Sequence, residues 1–83
     1  MPKILVGKVK HFYSEAGVAA IELVEELATG DMVSIEKDGS AFEQKVMSMQ
    51  VEHANVSKAS SGDSVGIKTE RQVKEGSDVY KIV

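Results

Sequence analysis

VAAIELVEELATGDMVSI, residues 18–35, is the stretch whose reading decides the fold. Two structures compete for its first half. Ser14 can cap a helix, Ala, Glu and Leu are good helix formers, and Gly30 stands where a C-terminal glycine belongs. Equally, Ala19, Ile21 and Leu23 share one face of a strand, with Glu22 on the other. The second half is plainer. Gly30-Asp31 is a turn signal, and Val33 and Ile35 alternate within the strand expected over Met32–Lys37.

The turn-then-strand pattern returns. Gly30-Asp31-Met32-Val33-Ser34-Ile35 matches Gly62-Asp63-Ser64-Val65-Gly66-Ile67, and Gly76-Ser77-Asp78-Val79 is a weaker third copy with Lys81 in place of isoleucine. Gly supplies an unusual backbone angle, and Asp or Ser can bond neighbouring amides. The spacings of 32 and 14 residues do not make a solenoid. They mark a repeated way of starting a strand, and Gly30, Asp31, Gly62, Asp63 and Gly76 are read as structural turn residues.

The rest of the chain reads as strands and turns. Residues 4–13, ILVGKVKHFY, are β-branched and aromatic. Strict alternation puts Leu5, Gly7, Val9, His11 and Tyr13 on one face and Ile4, Val6, Lys8, Lys10 and Phe12 on the other. Neither face is cleanly apolar, and Gly7 suggests a bend or bulge. Asp38-Gly39 between alternating runs predicts a hairpin. Ala41–Glu52 reads as one long return strand with a bulge near Val46–Ser48 where its phase changes. Ala54–Gly62 reads as a polar loop, with Val56 and Ala59 its only core residues. Ser64–Thr69 is a short strand, Glu70–Ser77 a polar turn region and Asp78–Val83 a last strand.

Eighty-three residues make one domain, 1–83. The absence of cysteine removes disulfides and thiolate metal sites and fits a reducing compartment. No apolar run reaches the ~20 residues needed to span a bilayer, and MPKILVGKVK lacks a signal-peptide core. A cytoplasmic protein without a membrane partner is expected. The net charge of −3 argues against a nonspecific polyanion binder. Its distribution is uneven: residues 1–13 carry three lysines and no acid, whereas residues 14–31 carry five acids and no base.

A family resemblance rests on Gly7-Lys8-Val9, Gly17-Val18-Ala19, Leu27, Gly30-Asp31, Phe42, Gln44, Val46, Ser48-Met49-Gln50, Ala59, Gly62-Asp63-Ser64-Val65-Gly66-Ile67 and Val73-Lys74-Glu75-Gly76 with Val79-Tyr80. This pattern, spread over nearly the whole chain, resembles the second-domain β-barrel of translational GTPases such as elongation factor Tu. It is most similar to two relatives of that barrel, the small translation elongation factor-like proteins of prokaryotes and the C-terminal barrel of collagenase-like peptidases. The resemblance implies an all-β fold, a small closed antiparallel barrel of six to seven strands. With the repeat, it decides residues 18–23 in favour of a strand. In the GTPases the barrel is not catalytic; it helps hold the acceptor end of aminoacyl-tRNA and touches ribosomal RNA. This chain has no Gly-x-x-x-x-Gly-Lys-Ser/Thr phosphate loop.

Catalytic patterns are missing from the residues as well. His11 and His53, the two histidines, lack metal-pair spacing. No serine sits in a Gly-x-Ser-x-Gly elbow, and the neighbours Glu25 and Glu26 point to opposite faces of a strand. No enzyme activity and no cofactor are expected. Lys8, Lys10, His11, Phe12 and Tyr13 are the candidate surface for RNA or a partner, since bases stack on rings while ammonium groups meet phosphates. The competing reading puts Phe12 or Tyr13 in the core and leaves the lysines as protection of a strand edge. Met47-Ser48-Met49 reads either as an adaptable docking patch or as core. The function expected first is a binding module related to translation, contacting tRNA, the ribosome or a translation partner. The alternative is a protein-interaction subunit of a peptidase-like or other enzyme.

Overall fold

A computed structural model describes residues 2–83. Among these residues there is no helix, and ten strands follow one another: β1 (Lys3–Tyr13), β2 (Val18–Leu23), β3 (Leu27–Ala28), β4 (Met32–Lys37), β5 (Ser40–Lys45), β6 (Met49–Val51), β7 (Ala54–Val56), β8 (Lys58–Ala59), β9 (Ser64–Lys68) and β10 (Asp78–Ile82). Every pairing is antiparallel. Eight strands form one sheet in the order β5-β4-β10-β1-β2-β9-β6-β7, and β3 pairs with β8 apart from it.

The opening stretch is a strand in its first half. Ala19, Ile21 and Leu23 are buried and Glu22 is exposed. Burial of three apolar side chains outweighs a helix preference of a few tenths of a kcal/mol per residue.

β1 shows why its alternation is hard to read. Its register with β10 shifts between Leu5 and Gly7, and its register with β2 shifts between Val9 and His11. Each extra residue reverses the side-chain phase. Val6, Val9 and Phe12, three apart, therefore all turn toward the core, and the two alternating faces drawn from the sequence do not exist. Gly7 permits the close approach of β2: a Cβ there would lie 2.6 Å from the carbonyl oxygen of Glu22.

The closed barrel of six to seven strands requires correction. The sheet curls around one apolar cluster, but β5 and β7 remain edges and no backbone pairing among the described residues closes it. The return strand breaks at residues 46–48, where a bulge was expected. β5 stays with β4, while β6 leaves to pair with β7 and β9. The supposed polar loop 54–62 contains β7 and β8, and Val73 in the supposed polar turn is buried.

One side chain spans the open seam. Gln44 on β5 is 4% exposed. Its Nε2 donates to the Lys68 carbonyl at 2.9 Å, and its Oε1 accepts from the Glu70 amide at 2.9 Å. A side-chain amide carries one acceptor and a donor group, as a peptide unit does. Gln44 thus replaces the missing backbone pairing at one point.

The three glycine turns share one construction. Gly30, Gly62 and Gly76 have φ of 93°, 93° and 85°. Each glycine N–H donates to a distant buried residue, at Val46, Leu23 and Val9 respectively. The N–H of that residue donates back to the carbonyl of the residue after the glycine, Asp31, Asp63 or Ser77. Asp31 and Asp63 also accept the backbone N–H three residues earlier, from Ala28 and Ser60, each at 2.9 Å. Ser77 donates its hydroxyl to the Lys74 carbonyl instead, at 2.6 Å. Each turn fastens one buried residue, Val46 just past β5, Leu23 on β2 or Val9 on β1, through two backbone bonds of 2.8–2.9 Å.

Candidate functional site

The surface singled out in the sequence lies along the second half of β1. Lys8, Lys10, His11 and Tyr13 are exposed, and Phe12 is half-buried against the core. The second β1 bulge turns Phe12 inward, which separates it from the other four. Lys8 Nζ lies 3.7 Å from an Asp78 carboxylate oxygen. His11 Nδ1 lies 2.6 Å from Glu75 Oε2, and its ring meets Tyr13 edge-on at 4.4 Å between centroids. Acids therefore sit beside two of the three basic groups, and Lys10 and Tyr13 remain the uncompensated pair. Exposed pairs of this kind contribute little stability, but they lower the local positive potential that RNA would meet.

The remaining sequence candidates separate. His11 is on β1 and His53 in the β6–β7 turn, and among the described residues no group of three His, Cys, Asp or Glu side chains could hold a metal. Met49 is buried in the core, whereas Met47 is 74% exposed at the β5–β6 corner. The Met-Ser-Met segment is thus part core and part surface.

Two further surfaces escaped the sequence reading. The first is the outer face of β1, β10 and β4. Register places Leu5 beside Tyr80 and Tyr80 beside Ser34, with Ile82 beside Lys3. Met32 shares the face of Ser34 by alternation. Leu5 and Met32 are 43% and 39% exposed, and Tyr80 and Ile82 are half-buried. Lys3 covers the Tyr80 ring, 4.7 Å from its centroid, and bonds Glu36, which also accepts from Ser34. The Glu36 bond holds the Lys3 ammonium above its ordinary pKa, and the Lys3 bond, then Ser34, hold Glu36 below the usual carboxylate range.

The second is a cleft of about 250 Å³ between β5 and the segment Arg71–Lys74. Ile35, Phe42 and Val73 supply its apolar lining, and Lys37, Arg71 and Lys74 are its cations. Arg71 stacks over the Phe42 ring at 5.4 Å. These residues are scattered through the sequence without a motif. The one local hint was the Asp38-Gly39 turn, which places Lys37 and Phe42 on neighbouring strands.

Comparison with known proteins adds a direction. No family model matches the chain. It is 42% identical over 79 residues to an uncharacterized protease of Methanocaldococcus jannaschii, a match covering 94% of this chain and 19% of that protein. The chain spans about a fifth of the curated relative's length. Among solved structures, it superposes on the C-terminal domain of a Geobacillus thermoleovorans protein assigned to the U32 peptidases with a TM-score of 0.88, 19% identity, and coverage of 96% of this chain and 93% of that one. The selenomethionine form of that domain gives a TM-score of 0.85 at 19% identity, covering 90% and 95%. These likenesses support the peptidase side of the resemblance and lend nothing to its translational side. The all-β fold of this chain is that of the U32 peptidase C-terminal domain.

Proposed function

We propose that this chain is a non-catalytic accessory module that docks onto a peptidase chain of the U32 type in the cytoplasm. The observation that carries the reading is the 42% identity along 94% of the chain to one segment of a much longer protease. The outer face of β1, β10 and β4 supports it. Leu5, Tyr80, Ile82 and Met32 bring apolar side chains to this one face, Leu5 and Met32 exposed and Tyr80 and Ile82 half-buried. Tyr80 supplies an amphipathic aromatic ring and Met32 a flexible apolar side chain, both of types enriched at protein interfaces. The translational reading has weaker support, because acids sit beside Lys8 and His11 and Phe12 packs against the core.

The test is complementation between chains. The Methanocaldococcus jannaschii protease is made without the segment that matches this chain, and the two are mixed and examined by sedimentation velocity. A one-to-one complex weakened by Leu5→Lys is expected. Failure to associate at micromolar concentration counts against the accessory reading, as would equal binding by the Leu5→Lys variant for the proposed face.

A further inference from the structure

The cleft beside β5 goes beyond the accessory reading. β5 is an edge of the sheet. Its two-residue turn closes at the Lys37–Ser40 pair, so hydrogen-bonded pairs recur at Ile35–Phe42 and Val33–Gln44. The N–H and C=O groups of Ala41 and Glu43 consequently point away from β4, and both residues are exposed. Gln44 ties one end of the seam to Lys68 and Glu70, while the other end opens toward Arg71–Lys74.

The cleft has a charge polarity. Lys37, Arg71 and Lys74 have no carboxylate within ion-pair distance among the described residues, although four other basic side chains do. Glu43 and Glu70 gather at the tied end, where they line a neighbouring hollow with Arg71. Asp38 is the one acid lining the cleft beside Arg71–Lys74. An unpaired strand edge recognises backbone, an apolar lining takes alternate side chains, and unpaired cations take carboxylates.

We propose that this cleft binds an extended acidic peptide, which adds a short strand along Ala41–Glu43 and sets its carboxylates against Lys37, Arg71 and Lys74. Phe42, Ile35 and Val73 receive its apolar side chains. Ligand and surface differ from those of peptidase docking, so either proposal can fail without the other.

The test uses the intact chain and a blocked hexapeptide of alternating Glu and Val, titrated calorimetrically at low and physiological salt. Sub-millimolar, salt-sensitive binding is expected, with amide shifts at Ala41 and Glu43 in NMR spectra. Arg71→Glu and Lys74→Glu should each weaken it roughly tenfold. Lys58→Glu, on β8 beside Glu26, should leave it unchanged. Methylating the peptide nitrogens in one alternating phase should abolish binding, and methylating the other phase should spare it. The proposal is overturned by no detectable binding, by equal binding of a Lys-Val peptide, by indifference to the methylation phase, or by a single-stranded RNA that displaces the peptide at equal concentration.

Discussion

Replacing Gln44 by leucine and by alanine separates the seam's hydrogen bonds from its packing. Gln44 makes two bonds of 2.9 Å, to the Lys68 carbonyl and from the Glu70 amide. Each contributes about 0.5–1.5 kcal/mol net, so leucine, which keeps the apolar bulk, should cost about 2 kcal/mol. Alanine also loses a buried methylene, about 0.8 kcal/mol, for a total of about 3 kcal/mol. A chain of this length has about 4–12 kcal/mol in all at ~0.05–0.15 kcal/mol per residue, so either loss is a large fraction. Urea unfolding measures both, with an unchanged slope showing that the two-state transition is intact. The Glu70 amide should lose hydrogen-exchange protection in both variants, because its acceptor is gone. A leucine variant within ~0.5 kcal/mol of the parent, the range of an ordinary surface change, with Glu70 protection intact, refutes the idea that this side chain closes the seam.

Three other outcomes are expected. Gly30→Ala and Gly62→Ala should each cost about 1–2 kcal/mol through φ alone, since nothing lies within 4 Å of an added Cβ. Gly7→Ala should cost more than either, because its Cβ would meet the Glu22 carbonyl, and equal thermal shifts for all three would contradict this account. Glu52 and His53 turn β6 into β7 with φ of 51° and 66°, so His53→Gly should raise stability by about 0.5–1 kcal/mol in urea, and a lowered midpoint argues against strain there. Lys3 and Ser34 lower the Glu36 pKa. That contribution is present above the ordinary Glu value of ~4.3 and is lost as pH falls through the lower folded value. Glu36→Gln should flatten stability against pH across that acid window, and an unchanged profile would show that the pair does not act on folding.

Legibility in the sequence follows how local each interaction is. Asp38-Gly39 is visible because the turn depends on its own two residues. The Gly-Asp repeats are visible for the same reason, but their partners Val9, Leu23 and Val46 are not, since nothing near a glycine names a strand far along the chain. β2 carries helix-forming residues whose local preference yields to burial between β1 and β9. Two phase reversals hide the inner face of β1. The closed barrel fails at β5 because closure depends on which edges meet, which alternation does not encode. Lys37, Arg71 and Lys74 form a cleft only after the β4–β5 hairpin folds beside the chain that precedes β10.

The glycine turns have a consequence for the route to the native state. Their fastenings are concentric: Gly30 to Val46 lies within Leu23 to Gly62, which lies within Val9 to Gly76. The enclosed spans are 16, 39 and 67 residues. Closing the outermost directly from an open chain costs about 1.3 kcal/mol more loop entropy than closing the innermost. Once an inner loop is shut, however, the next has less free chain to gather. Loop entropy thus favours folding from the centre of the sequence outward, with the two ends of the chain joined last.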